Sequence, residues 1–263
     1  MEATIAGFGG MSMDASASRE KAALSVRDLS VSFDGFKAVD GVSLDIDHGE
    51  LRVVIGPNGA GKTTLLDMIC GKTRPSSGSV QLDGVELTRL ADFQIVRQGV
   101  GRKFQNPSVY EELTVEENLE ISIPEGRGPL ACLRFKRDQK VRARIQEVAS
   151  EIYLGDQLSR RAGALSHGQK QWLEIGMLLM QQPKLLLLDE PVAGMSPAER
   201  EKTADLLRRV AKGRAIVVIE HDMDFVRSIA HKVTVLHQGR LLAEGPAETV
   251  QADPRVIEVY LGH

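Results

Sequence analysis

Apolar and polar positions alternate along Leu24–Phe33 and again along Val42–Ile46, the period of two expected of half-buried strands. Gly49-Glu50 then turns the chain into Leu51–Ile55, which is apolar except for Arg52. Such a run predicts a parallel strand buried on both faces, with Arg52 near its exposed start. Directly beyond come Gly56 to Thr64 and then Leu65–Gly71, where Leu65, Leu66, Met68 and Ile69 fit a helix. From Pro107 to Gly163 the pattern turns helical and charged, with Pro124–Pro129 as a loop inside it. Short apolar runs return at Lys184–Leu188, Ala215–Ile219 and Val233–Leu236, separated by helical stretches at 197–212 and 222–230. Strand alternating with helix predicts an α/β fold with a mainly parallel sheet and helices on its faces. No internal repeat or heptad array interrupts that order.

Composition changes this picture little. The 263 residues, 42% hydrophobic and 26% charged, suffice for one large domain or a domain with a sub-domain. A net charge of −3 shows no basic excess for nucleic acid. The run Arg134, Lys136, Arg137, Asp138, Lys140, Arg142 and Arg144 reads as a solvated helix face in preference to a phosphate or lipid-headgroup patch. Cys70 and Cys132 lie far apart without metal-ligand spacing and read as reduced thiols, Cys70 as a small core residue. No window approaches the roughly 18–20 continuous apolar residues that span a bilayer. The longest candidate, Trp172–Met180, is short and broken by Glu174. Residues 1–23 carry no apolar signal core, so they read as a disordered tail, or partly as sequence ahead of a later start at Met11 or Met13. A soluble protein is expected, with any membrane role supplied by a partner.

The first chemistry lies in Gly56-Pro57-Asn58-Gly59-Ala60-Gly61-Lys62-Thr63, a full match to G-x-x-x-x-G-K-[ST] between a predicted buried strand and a predicted helix. Glycines let successive N–H groups turn inward toward phosphate oxygens, and the helix adds its positive N-terminal end. Lys62 is expected to reach the β- and γ-phosphates, and Thr63 to ligate Mg²⁺. The pattern indicates a nucleoside triphosphate and leaves open what the nucleotide drives. Farther on, the apolar run Leu185–Leu188 ends in Asp189-Glu190-Pro191. Two carboxylates at the carboxyl end of a parallel strand stand where open α/β sheets bind ligands. Asp189 suits Mg²⁺, directly or through water, and Glu190 suits the group that polarises an attacking water.

Between these motifs, Leu165-Ser166-His167-Gly168-Gln169 opens a helix, and here the chain resembles ABC-type ATPases, which carry an LSGGQ-like signature shortly before the acidic strand. His167 stands where glycine is usual, and a surface-exposed role suits its imidazole better than a catalytic one. The resemblance runs from Leu24 to His263. It implies a P-loop NTPase core, an N-terminal antiparallel β subdomain, and an inserted helical subdomain at about 107–181 of an ABC ATPase domain spanning 24–263. It further implies that Gln105 is the Q-loop glutamine sensing Mg²⁺ and water, and that His221 is the switch histidine at the γ-phosphate. Thr64 joins the phosphate loop, and Phe33 resembles the adenine-stacking aromatic, with Phe36 as its rival. Ala193-Gly194-Met195-Ser196 replaces the commoner D-loop ending in Asp. The signature is expected to close the site of a second copy or paralogue in a head-to-tail dimer. ATP and Mg²⁺ are the expected cofactors. Two permease subunits and, indirectly, a periplasmic solute-binding protein are the expected partners, at the cytoplasmic face of the inner membrane, with no nucleic acid.

Finer wording is similar to the branched-chain amino-acid and amide importer group, in Gly101–Gln105, Glu112–Leu119 and Pro191–Ser196. Gly71–Pro75, Phe104–Tyr110 and the run LSHGQKQWLEIGMLLMQ are similar to urea-transporter subunits. Urea import is therefore the main expectation, ahead of a branched-chain amino-acid importer and then a lipid or lipopolysaccharide exporter. A non-transport ABC ATPase acting on ribosomes would usually carry two cassettes where this chain has one, and one acting on DNA would insert long coiled coils, for which residues 107–163 leave no room. A metabolic kinase with the same loop would not carry LSHGQ and His221.

Overall fold

The computed structural model describes residues 22–103, 108–124 and 139–261. The strands among the described residues are β1 (Leu24–Phe33), β2 (Phe36–Ile46), β3 (Leu51–Ile55), β4 (Ser77–Leu82), β5 (Val85–Glu86), β6 (Val100–Lys103), β7 (Leu185–Asp189), β8 (Ala215–Ile219), β9 (Lys232–His237) and β10 (Arg240–Gly245). They form two sheets, β2-β1-β4-β5 and β10-β9-β3-β8-β7-β6. The first is antiparallel throughout. In the second, β9, β3, β8, β7 and β6 run parallel, and β10 pairs antiparallel at the edge.

Three hairpins close the antiparallel edges through the same local device. Asp34-Gly35, Asp83-Gly84 and Gln238-Gly239 each place two successive residues at positive φ. That is the requirement of a two-residue turn whose twist matches the flanking strands. Phe33 and Phe36 face each other across the first turn.

Alternation of side chains sets the layers. Along β3, Leu51, Val53 and Ile55 enter one core and Val54 the other; along β7, Leu186 and Leu188 enter the first core and Leu185 and Leu187 the second. The second core is shared with the antiparallel sheet and with the helix Lys62–Ile69. The first is shared with helices Val115–Glu120, Gln139–Glu151, His167–Met180 and Pro197–Ala211. A sheet covered on both sides has no polar face, which is why β3, β7 and β8 are buried at every position.

Three expectations need correction. Arg52 does not sit at an exposed strand start: its side chain is fully buried. Its Nε donates to Glu50 at 2.6 Å, and its Nη1 to Glu244 at 2.6 Å and Thr234 at 2.9 Å. The cation is kept inside because acids from two strand ends neutralise it. Removing one partner of a buried pair typically costs about 3–5 kcal/mol, so Arg52→Leu is expected to lower the thermal midpoint by roughly 10 °C. A shift under about 2 °C in a melting experiment would remove this account. Ala23, assigned to the tail, is buried, and its carbonyl accepts from the Asp83 N–H at 2.8 Å. Cys70 is half-buried, not core, with its Sγ 3.1 Å from Arg102 Nη1.

The helical layer contains the predicted charged stretch in part. Lys140 and Arg142 are exposed, but Arg144 is half-buried and donates to the Leu179 carbonyl at 3.1 Å. Residues 134–138, Cys132 and most of the 124–129 loop lie outside the described residues.

Candidate functional site

The loop Gly56–Thr63 leaves the end of β3 and enters the helix Lys62–Ile69. Two glycines are dictated by its surroundings. At Gly56, φ is 150° and a Cβ would strike the Leu236 carbonyl of β9; at Gly61, φ is 96° and a Cβ would strike the Ala38 carbonyl of β2. Both glycines therefore let the loop pass between neighbouring backbones. Asn58 and Gly59 are exposed at its crest. The Lys62 ammonium folds over the loop and donates to the carbonyls of Gly56 at 2.8 Å and Pro57 at 3.0 Å. Burial lowers its pKa, against the raising pull of Glu190 and Asp189.

Parallel pairing of β3, β8 and β7 brings three chain segments to one end of the sheet. Thr63 Oγ1 donates to Asp189 Oδ2 at 3.2 Å. Asp189 is buried, and that burial raises its pKa, opposed first by the Thr63 hydrogen bond and then by Arg102. Glu190 follows at φ 46°, in the left-handed region, with its N–H held by the Ile219 carbonyl at 3.0 Å. A non-glycine residue there is strained, and such strain collects at functional positions. His221 Nδ1 lies 3.5 Å from Glu190 Oε1. Thus Lys62, Thr63, Asp189, Glu190 and His221 lie together at this end of the sheet. Thr64 is half-buried in the first helical turn beside Thr63. Gln105 lies outside the described residues.

A cleft of about 450 Å³ flanks the loop, walled by Phe36, Lys37, Pro57, Asn58, Gly59 and Ala60 together with His237 and Gln238. The aromatic on this wall is Phe36. Phe33, half-exposed at the end of β1, does not line it.

Charged groups beneath the site escaped the sequence reading. Arg102 reaches Asp67 at 2.5 Å and Asp189 at 4.0 Å. Lys103, fully buried, lies 3.5 Å from Glu174 of the helix His167–Met180, and Glu174 Oε1 also accepts from the Ser108 N–H at 3.2 Å. Burial pushes the pKa of Lys103 down and that of Glu174 up. Glu220, likewise buried, caps the Val192 and His221 N–H groups at 3.4 and 3.1 Å. The available signal was acids inside apolar runs, at Glu174 and Glu220.

The segment Leu165–Gln169 is organised separately. Ser166 caps the helix His167–Met180: its Oγ accepts from Gln169 N, and Gln169 Oε1 accepts from Ser166 N. Exposed His167 places Nε2 3.2 Å from the Ala193 carbonyl, tying the segment to the chain just after Glu190. None of these named hydrogen bonds joins the segment to the Gly56–Thr63 loop.

The oxygens of Thr63 and Asp189 fit Mg²⁺, a hard cation commonly held by one or two protein oxygens with phosphates and waters supplying the rest. A buried carboxylate whose pKa burial has raised gains from a cation beside it. Among the described residues no group of three or more His, Cys, Asp or Glu is placed to hold a metal by itself. Nor is any described helix long and apolar enough to cross a membrane.

A family model described as ABC transporter matches residues 39–193, and one described as branched-chain amino acid ATP-binding cassette transporter matches residues 240–263. The high-affinity branched-chain amino acid transport ATP-binding protein BraF of Pseudomonas aeruginosa is 37% identical over 254 residues, covering 91% of this chain and 97% of BraF. LivG of Escherichia coli K12, named for the same transport, is 36% identical over 248 residues, covering 91% and 97%. A nucleotide-free ATP-binding cassette from an ABC transporter superposes with a TM-score of 0.81 at 32% identity, over 92% of this chain and 100% of that one. A dimeric post-hydrolysis cassette bound to ADP and phosphate superposes with a TM-score of 0.70 at 25% identity, over 85% and 98%.

Proposed function

The chain belongs to the ABC transporter family, and from that premise we propose that it is the ATP-hydrolysing subunit of an importer for branched-chain amino acids. Its reaction is ATP and water to ADP and phosphate. The observation that carries the assignment of residues is the meeting of the Gly56–Thr63 loop, the Thr63–Asp189 hydrogen bond and the Glu190–His221 pair at one end of three adjacent parallel strands.

In this reading the loop N–H groups and Lys62 hold the triphosphate, with Phe36 of the cleft wall against the base. Thr63 and Asp189, together with Gln105 as the family resemblance implies, would hold Mg²⁺, which would neutralise charge on the phosphate oxygens. Glu190, strained outward at the end of β7, orients a water and accepts its proton. His221, beside that carboxylate, keeps the nucleophile's base and the terminal phosphate in register. The Leu165–Gln169 segment opens a helix N-terminus of the kind that takes a phosphate, yet its named hydrogen bonds do not join it to the Gly56–Thr63 loop, which supports a role at the site of a second copy or a paralogue. Such a composite site makes ATP the link between two chains and hydrolysis the release. The domain then comprises residues from Ala22 onward, with helices Val115–Glu120 to His167–Met180 as its moving helical part. The chain sits on the cytoplasmic face of the membrane through permease subunits, which receive solute from a binding protein outside.

The solute assignment departs from the urea expectation. BraF and LivG carry branched-chain amino-acid names, and the match over residues 240–263 concerns the same group, so the amino-acid alternative takes the lead. The test is uptake in cells whose chromosomal copy carries Glu190→Gln. Labelled leucine uptake is expected to fall to background with labelled urea uptake unchanged. Loss of urea uptake alone would overturn the amino-acid reading in favour of urea. Persistence of both would exclude import of either solute and favour export.

A further inference from the structure

Two helix starts lie side by side on this molecule, and each is closed by the same local device. Ser166 and Gln169 cap the helix His167–Met180, and Ser196 and Glu199 cap the helix Pro197–Ala211. A capping box normally satisfies only its own helix. Here one acid serves both: Glu199 Oε2 accepts from the Ser196 N–H at 2.9 Å, while Glu199 Oε1 accepts from the Ser166 hydroxyl at 3.1 Å.

The carboxylate also fills the space in front of Gly168. A Cβ built on Gly168 would lie 2.5 Å from Glu199 Oε1 and 2.6 Å from its Cδ. A side chain at 168 would therefore evict Glu199, and only glycine lets the acid lie over the first turn of the Ser166 helix. The acid is charged there: hydrogen bonds from Ser196, backbone first, hold its pKa below the usual carboxylate value, and His167 adds to the effect. The result is an anion resting on a helix N-terminus and holding its serine hydroxyl, the position in which such a terminus takes a phosphate.

We propose that Glu199 is an internal competitor for the terminal phosphate of the partner's ATP, displaced from Ser166 when two chains close, so that it sets the nucleotide concentration needed for closure and favours ATP over ADP. The inference rests on the composite-site reading above. A γ-phosphate and the Glu199 carboxylate cannot both receive the Ser166 hydroxyl, and two anions at that distance repel. ADP lacks the group that could displace the acid. Ser196 gives the displaced acid a second anchor through its N–H and hydroxyl, at 2.9 and 2.8 Å, so the helix Pro197–Ala211 stays capped during the exchange.

The substitution Glu199→Gln isolates the charge, because Gln at this position still forms a capping box. In the full-length chain carrying Glu190→Gln, ATP-dependent dimer formation is followed by sedimentation velocity, with ADP as the comparison. Adding Glu199→Gln is expected to lower the ATP midpoint about threefold, because a gain of roughly threefold at each of two partly exposed sites is shared between two ATP molecules, and to leave thermal stability unchanged. Glu199→Ala is expected to move the midpoint the same way despite its weaker cap. A midpoint within twofold of the parent, or one that rises, in a folded variant overturns the proposal. If the Glu190→Gln parent stays monomeric with ATP, the composite-site reading itself fails, and the role of Glu199 falls with it. The two failures are thus read from different samples.

Discussion

Replacing Lys62 by alanine is expected to lower ATP hydrolysis by about a hundredfold to a thousandfold, the usual effect of removing one charge-stabilising donor from a reacting centre. The ammonium is half-buried, and the carbonyls of Gly56 and Pro57 hold it over the loop. Burial works against its charge, while Glu190 and Asp189 work for it. Its removal therefore has two consequences: the phosphates lose a cation, and two neighbouring carboxylates lose a counter-charge. Fluorescent-nucleotide titration and phosphate release measure these separately. Both binding and turnover are expected to fall, with the melting temperature close to that of the parent because the side chain is not part of either core. Turnover within twofold of the parent would mean that the Gly56–Thr63 loop is not where the triphosphate sits.

The legible and illegible parts of this molecule divide along physical lines. β1, β3 and β8 were readable to the residue, because a strand buried on one face alternates and a strand buried on both is continuously apolar. β4, β5 and β10 were not foreseen, although Asp83-Gly84 and Gln238-Gly239 are turn signals of the same kind as Asp34-Gly35. Their strands are short, polar on the outer face and at sheet edges, so periodicity alone could not raise them above loop. β6 carries Arg102 and Lys103, which break the apolar pattern of a buried strand, yet both side chains are buried against acids distant in sequence. Arg52 was misplaced for the same reason. A buried cation is decided by partners such as Glu244, which no local pattern brings near.

The site shows the same division. The loop and the Asp189-Glu190 pair were identifiable because each is a compact motif attached to a predictable strand end, and His221 because the chain resembles ABC-type ATPases. Their convergence follows from the order of β3, β8 and β7, and Glu190 in a left-handed conformation follows from neither propensity nor pattern. The double use of Glu199 could not be foreseen either. Sequence shows two S-x-x-E/Q boxes thirty residues apart, and only the packing of their helices joins them.

Glu190→Gln is the substitution that separates binding from chemistry. It keeps size and backbone preference, so the φ of 46° and the N–H bond to Ile219 are retained. It leaves Lys62, Thr63 and Asp189 in place, so ATP affinity is expected to remain or to rise slightly as one negative charge leaves the site. What is lost is a carboxylate 3.5 Å from His221, the base in the function proposed above, and general-base loss ordinarily costs about a hundredfold to ten-thousandfold. With binding intact and hydrolysis slow, the ATP-bound state accumulates, and size-exclusion chromatography is expected to show a dimer with ATP that is absent with ADP. His221→Ala, which leaves the carboxylate but removes its neighbour, should slow turnover with a smaller gain in trapped dimer. If Glu190→Gln hydrolyses ATP at the parent rate, the base lies elsewhere, and buried Glu220, whose carboxylate is already engaged by the Val192 and His221 N–H groups, is poorly placed to replace it. If hydrolysis stops and no dimer appears, the loop and acids form a complete site within one chain, and the Ser166 helix must serve another purpose.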